Sequence, residues 1–336
     1  MKDFSNKIAV VTGGGTGMGR ELVCQLVAAG AHVAMCDVSA ADMEETKRLA
    51  QAAAGQRVTA HLCDVSDESQ MNRFRDEMLA AHKSAHVNLL FNNAGIGGGG
   101  GFVDGDRQEW ERTFAVCWRG VYNGCRAFMD LLVASDEGHI VNTSSINGFW
   151  ASIGPSVPHT AYSAAKFAVK GFTEALITDL RLHAPHVRAS VVMPGHIGTS
   201  IALNTSKVLG SGGALEMSAD QVQAVRERLS ADGLPVDNVP DDHIRELLHQ
   251  RALDFRDKAP TSAEEAAQII LNGVRDEQWR ILVGADAQVI DQLVRANPEQ
   301  AYEPEFMQLM RDAGHFGGLV NAGAGADDSQ QTSGQP

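Results

Sequence analysis

The sequence lacks the long apolar runs and the excess of basic residues that mark two large classes of protein. No apolar stretch reaches the roughly 20 residues that a membrane-spanning helix requires. Lysine and arginine number 28 against 42 aspartates and glutamates, a net charge of −14, and most of the excess lies after residue 200. Because an acidic surface repels phosphate backbones, we expect neither a membrane protein nor a nucleic-acid-binding protein.

The cysteines and histidines lack the spacing that disulfide frameworks and metal sites require. The five cysteines form no CxxC pair, and their odd number argues against a disulfide framework. The twelve histidines show no paired ligand spacing, so no metal site is expected. The chain starts Met-Lys-Asp-Phe and reaches a strand-like run at 8–11 within a few residues, so we expect no signal peptide. These features predict a cytoplasmic protein.

What the sequence has is a regular alternation of short apolar runs and longer helical patterns over the first 200 residues. The apolar runs are rich in Val, Ile and Leu with little alternation, as parallel strands buried on both faces should be. We predict strands at 7–12, 32–37, 57–63, 87–91, 138–143 and 187–193, and helices near 17–29, 41–54, 67–83, 107–134 and 162–183. This order predicts an α/β fold with a doubly wound parallel sheet.

Residues 200–260 interrupt this alternation and are too many for a structureless loop in a compact domain. Ser218 with Gln221 forms a capping box before one amphipathic pattern, and Asp241 could cap a second. We therefore predict a lid of two short helices. A last helix capped by Thr261 and Glu264 follows, and then a strand at 280–283.

These elements suggest one large domain with two additions. The domain covers 1–295 and carries the lid as an insertion at 200–260. A C-terminal extension covers 296–312. From 313 to 336 the chain turns to Gly, Ala, Ser, Gln and Asp, and we expect this tail to be disordered.

A glycine-rich loop lies between the first predicted strand and the first predicted helix. In Thr12-Gly-Gly-Gly-Thr-Gly-Met-Gly19, Gly13 permits a tight turn and Gly17 lets the backbone approach a pyrophosphate. Gly19 lets helix and strand pack closely, and the helix N-terminus supplies free N–H groups. A merely flexible turn is the alternative. The position predicts a dinucleotide site, with Thr16 and Met18 as further contacts.

Asp37, at the end of the second strand, indicates which dinucleotide binds. A carboxylate there accepts hydrogen bonds from both ribose hydroxyls and would repel a 2′-phosphate. No Arg or Lys lies between Gly13 and Gly19 or directly after Asp37. We therefore predict NAD rather than NADP, although Asp37 could instead cap the next turn.

Tyr162-Ser-Ala-Ala-Lys166 opens the helix after the fifth strand, so the phenol and the ammonium share one helical face. A free tyrosine has a pKa of about 10, and lowering it by three units takes about 4 kcal/mol of phenolate stabilisation. A nearby lysine and a nicotinamide cation can supply that. Tyr162 could then exchange a proton with an alcohol or ketone, while Ser145 hydrogen-bonds the reacting oxygen.

These motifs together resemble the short-chain dehydrogenase/reductase family, over residues 5–200 and more loosely over 260–295. The resemblance implies a Rossmann fold, with Tyr162 as the acid/base, Lys166 binding the ribose and lowering the tyrosine pKa, and Ser145 polarising the substrate oxygen. It further implies cofactor contacts from Asp64 and Val65 beside the adenine, from the motif Asn92-Asn93-Ala94-Gly95, from Tyr162 and Lys166, and from Pro194, Ile197 and Thr199 beside the nicotinamide.

The sequence departs from the family pattern at two positions. Cys117 stands seven residues after Trp110, where the family usually has an asparagine that supports a proton relay to the lysine. A thiol is a weak hydrogen-bond partner, which leaves three alternatives: a backbone carbonyl serves in the relay instead, turnover is slow, or Cys117 is simply a small buried residue. The gap of 17 residues between Ser145 and Tyr162 is also longer than usual.

The extra residues between Ser145 and Tyr162 suggest where substrate binds. We predict substrate contacts from Asn147, Trp150 and His159, with Phe149, His196 and the lid nearby. The aromatic side chains favour a bulky, mostly apolar secondary alcohol or ketone, although a core role for the aromatics and a surface role for His159 are open alternatives.

The sequence thus predicts an NAD-dependent alcohol dehydrogenase or ketone reductase. Two alternatives remain: a catalytically weak NAD(H)-binding sensor or scaffold, and an epimerase or dehydratase with tightly held NAD. The resemblance also implies a homodimer or homotetramer built on helices 107–134 and 162–183.

Overall fold

A parallel sheet forms the centre of the molecule. The computed structural model describes residues 1–98, 100–103, 105–154, 157–210, 212–231 and 234–313. The strands are β1 (Ile8–Thr12), β2 (His32–Asp37), β3 (Val58–Leu62), β4 (Leu89–Asn92), β5 (Gly138–Thr143), β6 (Val187–Pro194), β7 (Ile197–Gly198), β8 (Thr261–Ser262) and β9 (Arg280–Val283). Within the described residues, seven of them form one sheet in the order β3-β2-β1-β4-β5-β6-β9, and β7 pairs with β8.

Helices cover both faces of this sheet. They are α1 (Gly17–Ala28), α2 (Ala40–Ala50), α3 (Glu68–His82), α4 (Arg107–Phe114), α5 (Gly120–Val133), α6 (Thr160–His183), α7 (Ile201–Leu209), α8 (Ala219–Ala231), α9 (Asp241–Asp257), α10 (Ala263–Arg275), α11 (Ala285–Ala296) and α12 (Pro304–Asp312). The predicted doubly wound fold is confirmed, and it is of the Rossmann type. Where the described helices are concerned, none is long and apolar enough to cross a bilayer.

The strand sequences explain why both faces are covered. Alternate residues of each central strand enter different cores: Val10, Leu90 and Ile140 pack on one side of the sheet. Their neighbours Val11 and Phe91 pack on the other side with α1 and α10. A strand with apolar side chains on both faces is stable only when both faces are buried. The order reverses at β1, which lies between β2 and β4, and a crevice opens at their carboxyl ends.

The predicted helix 107–134 is not uniform. It consists of α4, a π-helical turn at Ala115–Arg119, and α5. Cys117 is the central residue of that turn. Single π-helical turns inside α-helices often occur at functional sites.

The lid contains three helices among the described residues, not the predicted two, because α7 was missed. The capping box of α8 is confirmed: Ser218 N–H donates to Gln221 Oε1 at 2.8 Å, and Gln221 N–H donates to Ser218 Oγ at 3.2 Å. The capping role predicted for Asp241 is wrong, because α9 begins after Pro240 and Asp241 lies inside its first turn. Asp241 instead forms an ion pair with Arg226.

The cap predicted for the next helix is wrong by one residue. Ser262 caps α10 and Glu265 completes the capping box, whereas Thr261 belongs to β8 and pairs with Ile197. Thr261 and Glu264 do not cap α10, because the pairing of β7 with β8 continues to Ser262. The predicted tail, apart from residue 313, lies outside the described residues.

Two buried histidines should make the fold sensitive to acid. Burial lowers the pKa of His139 to about 3, aided by the N-terminal ammonium and Arg188, and lowers the pKa of His82 to about 4. Both side chains are about 1% exposed. As pH falls below 6.5, histidine in the unfolded chain binds a proton that the folded protein excludes, so stability present at neutral pH is lost.

We expect this effect to lower the free energy of unfolding by about 2 kcal/mol per histidine by about pH 5. Urea unfolding at about pH 7.5 and pH 5 measures it. His139→Gln should reduce the loss between the two pH values, whereas His243→Gln, at an exposed position on α9, should not. An unchanged pH dependence in His139→Gln would contradict this prediction.

Candidate functional site

The crevice at β1 and β4 is built from two loops that touch. The glycine-rich loop follows β1, and Asn93-Ala94-Gly95 follows β4. Thr12 Oγ1 accepts hydrogen bonds from the N–H groups of Asn93 and Ala94 at 3.0 and 3.1 Å. The Asn93 amide donates to Thr12 O at 3.1 Å. These bonds fix the spacing of the two loops.

The glycines of this loop are required by space and by backbone conformation. Gly13 and Gly17 have φ of +67° and +53°, which L side chains rarely adopt. A Cβ on Gly13 would lie 2.8 Å from Ala94 Cα, and one on Gly19 would collide with the Gly13 carbonyl oxygen. The backbone therefore stays bare at the N-terminus of α1, where N–H groups can bind phosphate.

A cavity of about 500 Å³ opens above these loops. Most of the predicted cofactor residues line it: Gly13, Thr16, Gly17, Met18, Asp37, Asp64, Val65, Asn93, Ala94, Gly95 and Thr199. Gly19, Pro194, Ile197, Tyr162 and Lys166 are not among its lining residues. Gly19 serves the packing of α1 on the loop, and the Ile197 side chain is buried in the core.

Sequence reasoning missed a second wall of the cavity. It is formed by Arg112 and Val116 from α4 and the turn after it, and by Ser200, Ile201, Asn204, Lys207 and Val208 at α7. The missed signal is the length of the segment after Thr199, which is enough for a helix. The volume of the cavity, the exposed backbone of the glycine-rich loop and the N–H donors at the N-terminus of α1 together fit a dinucleotide.

Asp37 lies where a carboxylate was predicted. Its Oδ2 accepts from Gly15 N–H at 3.0 Å, and its Oδ1 accepts from Ser39 N–H at 3.1 Å. Burial raises the pKa of Asp37, while these backbone bonds oppose the rise. Each oxygen has a second lone pair with which it could accept a ribose hydroxyl.

Asp64 borders the same cavity and is paired. Arg112 Nη2 lies 2.7 Å from Asp64 Oδ2, and Arg112 also donates to Ser66. Burial opposes ionisation, but the hydrogen bonds from Arg112 and Ser66 hold the pKa of Asp64 below its usual value. The pair leaves no net charge on this part of the wall.

The predicted catalytic side chains converge beside the cavity. Ser145 follows β5, and Tyr162 and Lys166 lie on the first turns of α6. Lys166 Nζ donates to Thr143 O at 2.9 Å and lies 5.3 Å from the centroid of the Tyr162 ring. A Cβ on Gly95, which lines the cavity, would lie 3.5 Å from Lys166 Nζ. Ser145 and Lys166, which are 21 residues apart in the sequence, thus belong to one cluster.

The pKa directions differ from the expectation that lysine lowers the tyrosine pKa. Burial raises the pKa of Tyr162 well above its ordinary value, with an electrostatic contribution from Cys117, and hydrogen bonding to Ser145 opposes the rise. Burial also lowers the pKa of Lys166. Burial outweighs any effect of Lys166 on the Tyr162 pKa, and the expected lowering stays a prediction for the complex with the dinucleotide.

Comparison with known proteins agrees with this geometry. The model of the short chain dehydrogenase family matches residues 7–208, more than half of the chain. The chain belongs to the short-chain dehydrogenase/reductase family. A Mycobacterium tuberculosis protein named "Putative oxidoreductase SadH" is 35% identical over 297 residues, which cover 88% of this chain and 92% of that protein.

Two solved structures share the fold and contain different dinucleotides. A short chain dehydrogenase/reductase from Burkholderia phymatum in complex with NAD has a TM-score of 0.70 and 28% identity, covering 90% of this chain and 98% of that one. A metagenomic short-chain oxidoreductase in complex with NADP has a TM-score of 0.51 and 31% identity, covering 65% and 93%. This short-chain dehydrogenase therefore resembles proteins of both cofactor types.

Cys117 occupies a buried position close to Lys166. Its thiol is fully buried and donates to Ile96 O at 3.2 Å. A Cβ on Gly95 would lie 3.8 Å from the sulfur as well as close to Lys166. Cys117 therefore packs against the loop at Gly95, and its S–H group is hydrogen-bonded to a backbone carbonyl. In this dehydrogenase, the π-helical turn that carries Cys117 brings it to the site.

Two of the three predicted substrate residues, Trp150 and Asn147, bond other parts of the chain instead. The Trp150 ring is 1% exposed, donates from Nε1 to Ala301 O at 2.7 Å and packs on Phe306. Trp150 is therefore wrong as a substrate contact, because α12 covers it. The Asn147 amide nitrogen donates to Trp150 O and Ser152 O, so Asn147 holds the loop together.

His159, the third predicted substrate residue, lies beside Tyr162. Its ring centroid lies 4.7 Å from that of Tyr162, and the rings are tilted by 34°. Burial lowers the pKa of His159 to about 4, so the imidazole is neutral at physiological pH. A neutral imidazole can offer either a donor or an acceptor to a substrate polar group.

The turn at Pro194-Gly195-His196 is held by a residue that sequence reasoning missed. Asp286, 3% exposed at the start of α11, accepts from His196 N–H at 2.6 Å through Oδ2. A Cβ on Gly195 would collide with its carboxylate oxygens. On the other side, the His196 ring lies 4.2 Å from Phe255 of α9, and its Nε2 lies 2.7 Å from Phe255 O. The turn is thus joined to the lid.

We expect Asp286→Ala to loosen this turn, because the His196 N–H loses its acceptor. The unfolding free energy should fall by about 1–3 kcal/mol, and the dissociation constant for NADH should rise. Thermal unfolding and NADH fluorescence measure the two effects. Asp286→Asn keeps an acceptor and should recover most of both, and Asp237→Asn, at an exposed position, is the control. Equal NADH affinity in Asp286→Ala would contradict the role.

Proposed function

We propose that this protein is an NAD-dependent oxidoreductase that interconverts a bulky, mostly apolar secondary alcohol and its ketone. The observation that carries the proposal is the convergence of Ser145, Tyr162 and Lys166 beside a cavity that fits a dinucleotide. Each group has a chemical task in moving a proton at the substrate oxygen, in addition to the bonds by which Lys166 and Ser145 hold the backbone in place.

Tyr162 holds the proton that the reaction moves. Its phenol can donate to a ketone oxygen or, as phenolate, accept from an alcohol. Ser145, hydrogen-bonded to that phenol, can donate to the same substrate oxygen. The buried ammonium of Lys166 favours the phenolate. A bound nicotinamide would supply hydride acceptance or donation at the substrate carbon.

The preference for NAD rests on Asp37. Its carboxylate lines the cavity and would repel a 2′-phosphate. Arg20, which directly follows the glycine-rich loop, is bonded to the Gly15 carbonyl and to Thr46. Because cells keep NAD largely oxidised, an NAD preference favours alcohol oxidation as the direction.

The substrate class rests on the apolar surroundings of Tyr162. Tyr162 packs on the same core cluster as Phe114 and Leu209. Trp110 stacks on Phe114 at 5.4 Å and donates from Nε1 to Thr160 at the start of α6. An apolar wall around one acid/base group suits a bulky alcohol or ketone with few polar groups.

We also propose a cytoplasmic homodimer or homotetramer. Tyr122 and Val133 on α5 and Phe167 on α6 are each more than two-fifths exposed. These helices are the ones that the family resemblance assigns to the interface, and apolar groups there gain by burial between subunits.

We expect Tyr162→Phe to lower turnover at least about 100-fold, because the group that moves the proton is lost. Absorbance at 340 nm with NAD and a panel of aliphatic, aryl and steroid secondary alcohols measures it. Tyr122→Phe removes an exposed phenol oxygen from α5 and is the matched control.

The same panel separates the alternatives. NADH binding without turnover of any alcohol or ketone would favour a sensor or scaffold, and would make Cys117→Asn the variant to build next. A protein that purifies with NAD and produces no net NADH would favour an epimerase or dehydratase.

We expect Asp37→Asn to shift the NAD/NADP preference towards NADP by about tenfold, because the charge facing the 2′-position is removed. Dissociation constants for NADH and NADPH measure the shift. Asp42→Asn, which changes another carboxylate of the same cavity, should shift it less. A wild-type preference for NADPH would overturn the NAD assignment.

A further inference from the structure

Helix α7 forms a wall of the cavity that faces the glycine-rich loop. Asn204 Nδ2 donates to Thr16 Oγ1 at 3.1 Å, and a Cβ on Gly17 would lie 3.1 Å from Thr199 Cβ. Thr205 Oγ1 accepts from Gly97 N–H at 2.8 Å on the other side of α7. The helix is thus tied both to the loop that can bind phosphate and to the loop after β4.

Lys207 lies one turn beyond Asn204 on nearly the same face of α7. Residues three apart on a helix are neighbours, and a lysine stem is long enough to reach past the adjacent turn. Lys207 and Asn204 both line the cavity. The Lys207 side chain is exposed, and no carboxylate of the described residues forms an ion pair with it. Its ammonium is available to a ligand.

The other charges of the cavity make this ammonium significant. Asp37, Asp42 and Asp64 line the cavity, and Arg112 is paired with Asp64. Lys207 is therefore the one cation of the described lining that is not neutralised by a carboxylate. The glycine-rich loop offers neutral N–H groups to an anion, and two unpaired carboxylates oppose that anion electrostatically.

We propose that Asn204 and Lys207 form an α7 clamp that binds the pyrophosphate of the dinucleotide from the side opposite the glycine-rich loop. The proposal rests on the proposed cofactor. Asn204 fixes α7 against Thr16, and Lys207 supplies the positive charge that the loop lacks. Helix α7 packs on α9, and Phe255 of α9 contacts His196. Binding of the pyrophosphate at α7 therefore also fixes the position of the lid.

The test is ligand binding to Lys207→Gln, measured by calorimetry without turnover. ADP-ribose should bind about five- to tenfold more weakly than to wild type, and the difference should shrink in about 0.5 M salt. Adenosine, which has no phosphate, should bind equally to both proteins. Lys207→Arg should retain most of the affinity. Lys258→Gln, which removes an exposed lysine at the end of α9, is the charge control.

Three results would overturn the clamp. Unchanged ADP-ribose affinity would mean that the ammonium stays in solvent. An equal loss for adenosine would mean that Lys207 supports the fold of the cavity. A loss confined to 2′-phosphorylated ADP-ribose would assign Lys207 to a 2′-phosphate instead. Wild-type protein that binds neither NADH nor ADP-ribose would refute the proposed cofactor itself, which is a separate outcome.

Discussion

The close contact between the loop after β1 and the loop after β4 is the constraint on which the site depends. Thr12 accepts two N–H groups from the second loop, and a side chain on Gly13 or Gly19 would force the loops apart. The two loops follow neighbouring strands at the point where the strand order reverses, and the crevice opens there at the carboxyl ends of the strands. Asp37 borders this crevice from β2, and α7 borders it from the lid.

The proposed chemistry depends on a buried lysine held at the same edge of the sheet. Lys166 is 3% exposed and bonds the carbonyl of Thr143 at the end of β5, which fixes α6 relative to the sheet. Burial works against charge on both Lys166 and Tyr162, so the protein keeps the proton on the phenol. Cys117 adds no strong donor, because its thiol is turned to Ile96 O. Under the proposed function, proton transfer therefore relies on Lys166 and on Ser145.

The sequence was informative where function requires a particular residue type at a particular place. Glycines with positive φ, a carboxylate at a strand end and a tyrosine four residues before a lysine were all recognisable, and the parallel sheet followed from buried apolar runs. It was uninformative where long-range packing decides. Nothing near Trp150 indicates that Phe306 will cover it, and nothing near Asp286 indicates that it will bond His196. The cap of α10 moved by one residue because β8 competes for Thr261.

The loops beside the proposed reaction site, by contrast, are supported by parts of the chain that the family pattern does not reach. The family match ends at residue 208, yet the segment after Ser145 is held by Ala301, and Tyr302 accepts a hydrogen bond from Ala151 N–H. The turn at His196 is held by Asp286 and by Phe255. A relative that shares only residues 7–208 therefore shares the proton-transfer groups without the supports that shape the cleft. If the proposed function holds, we expect changes in α9, α11 or α12 to alter substrate choice while Tyr162 and Lys166 stay in place.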